Sequence, residues 1–341
     1  MTRGSERARG GWTLRALLLP SLVVAAILLG ACDGDSPSAL EPAGPGARQI
    51  ESLWWLIFWI ATVVFAVVVG FLLVAVVRAR RRDVDVSTRN RWGEPFILVA
   101  GVIVPSAILI GVLTLSLGDL REVGRNEESA NLEIHVIAHD WWWEARYPNG
   151  AVTANEIHIP VGQTVRLQLE TADVIHSFWV PRLQAKTDMI SGRVNSMWLR
   201  ADEPGRYRGQ CAEYCGLQHA NMGFYVVADP PERFTTWLDK IAQPAVAQSA
   251  EAKQGRQVFL ESTCVGCHAI QGTAADATVG PDLTHVGDRD TLFAGTVVNN
   301  ADNLAAIITD PQGTKPGVAM PPTELSPDEL NALVAYLEQL D

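Results

Sequence analysis

Two uncharged apolar runs decide the architecture of this chain before any other feature does. Leu53 to Val77 is 25 residues without a charge, and Phe96 to Leu117 is 22 more. About 20 residues of helix cross the hydrocarbon core of a bilayer. Each run therefore predicts a transmembrane helix, over 53–77 and 96–117, in a hairpin that occupies 50–120. Between them stand Arg78, Arg80, Arg81, Arg82, Arg89 and Arg91. Arginines clustered in a short loop stay on the cytoplasmic side. Both ends of the hairpin, and everything after about Asp119, are thus expected outside the cytoplasm.

The start of the chain agrees with that topology. Arg3, Arg7, Arg9 and Arg15 flank an apolar run from Leu17 to Leu29 that ends in Leu29-Gly30-Ala31-Cys32. This predicts a secretory signal of lipoprotein type over 1–31, with lipid attached to Cys32. An uncleaved anchor helix, or a cleaved signal with a bystander cysteine, are the alternatives.

Beyond the hairpin the period changes to two. Leu132, Ile134 and Val136 alternate with Glu133 and His135, and Val165, Leu167 and Leu169 with Arg166 and Gln168. Ile157 and Ile159, Met197-Trp198-Leu199 and Phe224-Tyr225-Val226-Val227 add further short strands. Many short strands with turn signals predict an all-β Greek-key sandwich over 126–240. An Ala/Gln/Pro-rich stretch over 241–252 reads as a linker. The remainder, 253–341, is predicted to be all-α. Ser326-Pro327-Asp328-Glu329 is a capping box with Pro at the first helical position, and Leu330, Leu333, Val334 and Leu337 follow as one apolar stripe.

The net charge is −11, which argues against nucleic acid as a partner. Residues 251–341 alone hold four Lys/Arg against thirteen Asp/Glu. An acidic surface of this kind steers a basic soluble donor, or simply keeps the domain in solution.

Four of the five cysteines fall in two metal motifs. The first is Cys211-Ala-Glu-Tyr-Cys215-Gly-Leu-Gln-His219-Ala-Asn-Met222, with His176 upstream in Ile175-His176-Ser177. Soft sulfur donors with imidazole suit copper and disfavour hard cations. A single blue-copper ion uses one Cys, two His and a weak axial Met; the extra thiolate here points to a two-copper cluster with both sulfurs bridging. A disulfide between Cys211 and Cys215, or a zinc site, are the competing readings, and Met222 by itself would be a core filler.

The second motif is Cys264-Val-Gly-Cys267-His268, the C-x-x-C-H attachment signature of a c-type haem. His268 lies beside the iron as the proximal ligand. Met320, in Pro316-Gly-Val-Ala-Met320-Pro-Pro, is the only Met after Met222 and fits the second axial position. A thioredoxin-like redox pair is the alternative, and it leaves His268 and Met320 unexplained.

The hairpin, Asp140-Trp141-Trp142-Trp143, the copper loop and the haem motif together resemble subunit II of a caa-type cytochrome c oxidase. This is the form with a CuA cupredoxin domain and a class I cytochrome c domain fused at its C-terminus. The resemblance implies CuA ligation by His176, Cys211, Cys215, His219 and Met222. It also implies ligation by the Glu213 carbonyl, with the Glu213 carboxylate reaching a Mg²⁺ shared with subunit I. It makes Trp141 an electron relay, and it aims Lys186-Thr-Asp188-Met-Ile-Ser-Gly192-Arg193-Val-Asn195 at subunit I. Two departures stand out. Ser191 replaces the usual Pro before Gly-Arg. Leu98 stands where many members carry a proton-path Glu, with Glu94 one turn earlier.

The resemblance further implies that haem c takes an electron from an upstream cytochrome c or a membrane cytochrome complex. CuA receives it and passes it to a haem in subunit I, where oxygen is reduced and protons are pumped. Subunit III is an expected neighbour, and the bacterial inner membrane, with the C-terminal domains periplasmic, is the expected location. A CuA-containing nitric oxide reductase subunit and a membrane-anchored electron carrier are the alternatives. Quinol oxidase subunit II lacks the copper ligands present here. Nitrous oxide reductase needs many more His than the seven in this chain.

Overall fold

The computed structural model describes residues 37–81, 93–128 and 130–341. The leader over 1–31, Cys32 and most of the arginine-rich loop lie outside the described residues.

Two long helices carry the apolar runs. α1 is Pro45–Arg81. The second rod begins as α2, Gly93–Leu98, passes through one π-helical turn, Val99–Ile103, and continues as α3, Val104–Glu128. Pro105 accounts for the π turn. It has no N–H to donate, and its ring crowds the carbonyl of Gly101, so a regular α ladder cannot pass through it. Both rods are long and apolar enough to cross a membrane, and neither is buried against protein. Side chains such as Phe65, Phe71, Ile97 and Leu109 face outward. Lipid is the solvent that accepts such a surface, since a helix satisfies its backbone internally. Trp54 stacks on Phe58 and Trp55 on Trp59 at the head of α1, an aromatic belt suited to the bilayer surface.

α1 starts two turns ahead of its apolar run because its first turn belongs to the next domain. Ala47 is fully buried, and its N–H donates to the Leu183 carbonyl at 3.0 Å. Ala43 donates to the Arg182 carbonyl at 2.7 Å, and Arg48 pairs with Asp202 at 2.5 Å. A Cβ on Gly44 would stand 2.2 Å from the Arg200 carbonyl, so this approach requires glycine. The first turn of the long helix is therefore fastened to the β domain.

That domain is a sandwich of two five-stranded sheets. The first has the order β3 (Val152–Ala154), β2 (Trp142–Arg146), β1 (Leu132–His139), β5 (Val165–Thr171), β8 (Asn195–Leu199). The second runs β4 (Glu156–Pro160), β10 (Gly223–Asp229), β9 (Gly205–Cys211), β6 (His176–Trp179), β7 (Thr187–Met189). β1 with β5 and β4 with β10 are parallel; the other pairs are antiparallel. The alternation that predicts β1 buries Ile134 and Val136 completely. Trp143, Phe178 and Phe224 close the core beneath the copper loop, with ring centroids 4.5 to 5.7 Å apart. α4, Pro231–Ile241, caps the sandwich through buried Phe234 and Ile241.

The C-terminal domain is helical. It contains α5 (Ala250–Glu261), α6 (Ala301–Thr309), α7 (Pro311–Thr314) and α8 (Pro327–Glu338), with a two-stranded ribbon, β11 (Thr291–Leu292) and β12 (Val297–Val298). Ser326 and Glu329 form a capping box at the head of α8. α5 crosses α8 so closely that a Cβ on Gly255 would lie 1.8 Å from the Ala332 carbonyl.

The Ala/Gln/Pro-rich stretch does not swing free. The Gln243 carbonyl accepts a 2.8 Å bond from His285, and Gln339 receives the N–H groups of Gln248 and Ser249. Arg206 of β9, held by Glu156 of β4, bonds Asp290 across the seam. Gly223 donates to the Ala294 carbonyl at 3.0 Å. The two domains are docked.

Candidate functional site

The copper loop is a product of sheet register. β6 and β9 pair with Phe178 opposite Cys211. His176, two residues before Phe178, is thereby carried to the end of the sheet where Cys211 leaves it. The loop from 212 to 222 then turns back through a 3₁₀ turn, His219–Asn221, into β10. This return stacks Cys215, His219 and Met222 beneath Cys211.

The resulting distances are short and paired. Cys211 Sγ lies 3.8 Å from Cys215 Sγ, and both are free thiols. His176 Nδ1 is 3.8 Å from Cys211 Sγ, and His219 Nδ1 is 3.6 Å from Cys215 Sγ. Met222 Sδ is 3.7 Å from Cys215 Sγ, while the Glu213 carbonyl stands 3.1 Å from Cys211 Sγ. His176, Cys211, Cys215 and Met222 are all buried. Two sulfurs in the middle, one imidazole on each side and one weak donor on each side suit two soft ions sharing the sulfurs. One tetrahedral zinc would leave the Met222 thioether and the Glu213 carbonyl unused.

The surroundings tune this set. Asp173 accepts from His176 Nε2 at 2.8 Å, which fixes the ring and leaves Nδ1 facing the sulfurs. Burial opposes a charge on His176, but Asp173 and the Cys211 sulfur outweigh it and raise the metal-free imidazole to about 9, so a metal ion at Nδ1 would displace that proton. The Cys215 sulfur and the His176 ring beside Cys211 lower its pKa against its burial and favour it as the thiolate of the pair. The Glu213 carboxylate points out to the surface. There the Lys186 ammonium lies 3.8 Å from it and 3.9 Å from Asp188.

The second centre is an apolar cleft of about 210 Å³ in the helical domain. Cys264, Cys267, His268 and Met320 all line it, with Phe259, Leu304, Ile308 and Leu337 among its walls. The His268 ring bonds the Pro281 carbonyl through Nδ1 at 2.8 Å, so Nε2 is the nitrogen left to ligate. A Cβ on Gly280 would stand 2.6 Å from His268 Cε1, which explains the Gly-Pro pair beside the ring. Burial lowers the His268 pKa and keeps it neutral, as a ligand must be. Two thiols, an imidazole and a thioether on one apolar cleft fit a covalently attached haem.

The two centres share a wall. Asp140, Trp141 and Trp142 of the β domain line the haem cleft. Trp141 Nε1 also donates to the Cys215 carbonyl at 2.9 Å. Gly216 lets the indole lie against the loop, since its own Cβ would be 3.2 Å from Trp141 Cζ2. Of the three tryptophans in a row, Trp143 is the core residue, fully buried, and Trp142 stacks on His139 at 4.1 Å.

Several residues escaped the sequence reading. Asp173 gives no local signal. Gln218, in the copper loop, donates to the Pro316 carbonyl at 2.6 Å. Lys315 is buried in the shared wall, where its Nζ donates to the carbonyls of Trp141 at 2.9 Å and Phe293 at 3.0 Å. Its one available signal was isolation: a lone cation in Thr314-Lys315-Pro316-Gly317 within an acidic domain.

Comparison with known proteins agrees with both halves. The family profile described as cytochrome c oxidase subunit II, periplasmic domain, matches residues 150–229, and that of cytochrome c matches 252–341. Cytochrome c oxidase subunit 2 of Alkalihalophilus pseudofirmus is 35% identical over 342 residues, covering 96% of this chain and 98% of its own. The protein of the same name from Bacillus subtilis is 35% identical over 350 residues, covering 96% and 97%. Among solved structures, the periplasmic domain of subunit II of cytochrome oxidase of Bradyrhizobium japonicum is 31% identical. It covers 33% of this chain and 94% of its own, with a TM-score of 0.32. The groups carried by the two centres are accordingly the CuA copper pair and haem c. Relatedness along nearly the whole length, over a copper pocket and a haem cleft in one chain, places the protein in the cytochrome c oxidase subunit II family, in the form with a fused C-terminal cytochrome c domain.

Proposed function

We propose that this chain collects electrons on the outer face of a bacterial inner membrane and delivers them, one at a time, to subunit I of the oxidase. When bound, haem c and the copper pair supply reversible one-electron redox chemistry; the rest falls to the chain. Cys264 and Cys267 would tether the haem, and His268 and Met320 would hold its iron, the thioether favouring a high potential. Cys211 and Cys215 would supply the two thiolates of the copper site. His176, His219, Met222 and the Glu213 carbonyl complete the set, with Asp173 keeping His176 in place. A rigid, dry pocket changes little between redox states, which keeps reorganisation small.

The observation that carries this reading is the position of Trp141. One indole lines the haem cleft and bonds the backbone of a copper cysteine. Electrons arriving at the haem thus meet the copper pair through one side chain.

The partner surfaces follow the same geometry. Val174, Ile175, Ile190, Val194 and Tyr214 are exposed apolar residues around the copper loop, and this rim is the face for subunit I. Asp188 and Glu213 are the carboxylates for a Mg²⁺ at that junction, once Lys186 yields the corner it occupies. Subunit III completes the complex, and the acidic C-terminal domain receives the upstream cytochrome donor.

The test is spectroscopic. Full-length chain in detergent, matured with haem and loaded with copper, is examined by EPR and visible absorption. One unpaired electron spread over two copper nuclei, beside a low-spin haem c, is the expected result. A single-copper signal would overturn the reading.

A further inference from the structure

Lys315 is 1% exposed, yet both of its acceptors are carbonyls rather than carboxylates. A buried cation whose hydrogen-bond acceptors among the described residues are neutral oxygens is a poor way to stabilise a fold, because its desolvation is repaid weakly. An apolar side chain of the same length would fill the space without that penalty. The residue is better explained by what it holds. One acceptor is the backbone of Trp141, 174 residues away in sequence. The next two residues reinforce the grip. The Pro316 carbonyl accepts from Gln218 of the copper loop. A Cβ on Gly317 would stand 2.7 Å from Leu217 and 3.7 Å from Trp141 Cη2, so the backbone passes directly over both. Met320 lies five residues further along the same strap, and Lys315, Met320, Trp141 and His268 all line one cleft.

We propose that Lys315 is a positioning residue for electron transfer between the two centres: it fastens Trp141 between the haem cleft and the copper loop. The inference rests on the electron-intake reading above. The step it serves moves one electron, oxidising the iron held by His268 and Met320 and reducing the copper pair held by Cys211 and Cys215. No bond forms and no proton moves. Arg206 also joins the two domains, but at the far seam, through Asp290 and Glu156. The seam there also holds through the Gly223 N–H and the Ala294 carbonyl, so loss of Arg206 leaves the docking and Trp141 in place.

The experiment compares full-length wild type, Lys315→Met, Lys315→Gln and Arg206→Met, each loaded with haem and copper. After a flash reduces the haem, the internal haem-to-copper rate is followed. Pulsed EPR on the oxidised proteins reads the iron–copper distance distribution. Gln is one bond shorter than Lys, so its amide nitrogen cannot reach both carbonyls; it serves where Met fails to assemble. In whichever Lys315 variant keeps both metal spectra, internal transfer should slow by about tenfold or more, as misplacement of a reacting contact does. The distance distribution should broaden, while external reduction of the haem is unchanged. Arg206→Met should stay near the wild-type rate. Wild-type transfer in a spectrally intact Lys315 variant would overturn the inference. So would equal slowing in Arg206→Met, or loss of haem in both Lys315 variants, which would make Lys315 a folding residue. Absence of internal transfer in the wild type would instead sink the electron-intake reading itself.

Discussion

Cys211 and Cys215 sit in unequal company. Cys211 faces His176 and the Glu213 carbonyl, and Cys215 faces His219 and Met222. Replacing Cys215 by Ser removes the sulfur that links the second half of the donor set to the first. The copper EPR of Cys215→Ser should change to a single-copper pattern or vanish; a retained two-copper pattern would exclude Cys215 as a bridge. Lys315 carries a pH dependence of its own. Burial pulls its pKa from 10.5 down to about 7. Between those values the folded chain binds fewer protons at this site than the unfolded chain, so stability rises with pH across that window. Below about 7 the penalty for the buried charge is fully present. Thermal unfolding, followed at the haem band, should show the wild type gaining on Lys315→Met as the pH climbs from about 7 to 9; parallel curves would place the charge elsewhere. The proposed copper ligands stand out in the sequence because the chemistry is dense: Cys211, Cys215, His219 and Met222 fall within one short loop. Asp173 and Lys315 were not, since each acts through a contact that only the folded chain creates.

At the level of elements, strands with apolar alternation were legible and those without it were not. β1 and β5 announce themselves by period two. β9 points Tyr207, Gly209 and Cys211 inward, and β6 buries His176 and Ser177. These are the strands that build the metal site, and their inward residues are chosen for ligation and close approach rather than for hydrophobicity. Gly209 is a case in point, for a Cβ there would enter the Phe224 ring at 2.3 Å. The helical domain has an equivalent position in Gly255, where α5 meets α8. Gly255→Ala drives a methyl into the Ala332 carbonyl and should destabilise the haem domain by about 1–3 kcal/mol. Its denaturation midpoint should fall while the copper EPR is unchanged; an unaltered midpoint would mean that the crossing is looser than 1.8 Å implies. The start of α1 was misjudged from hydropathy alone, because docking on Leu183 rather than lipid sets its first turn.

Across the whole molecule, the sequence spoke for three parts, and the structure joins them. The membrane rod is locked to the β domain at Ala47, and the β domain is locked to the haem domain through Gly223, Gln218 and Lys315. A stretch with linker composition lies pinned along the haem domain, so the cleft that would take the haem is held against the β domain rather than tethered at a distance. A fixed geometry between the two centres is the central claim. The most direct test is flash reduction of the haem in the full-length, metal-loaded chain, with the haem and copper absorption bands followed together. The haem should reoxidise and the copper pair become reduced at one shared first-order rate, unchanged on diluting the protein. A rate that scales with protein concentration, or a haem that stays reduced beside oxidised copper, would contradict the account.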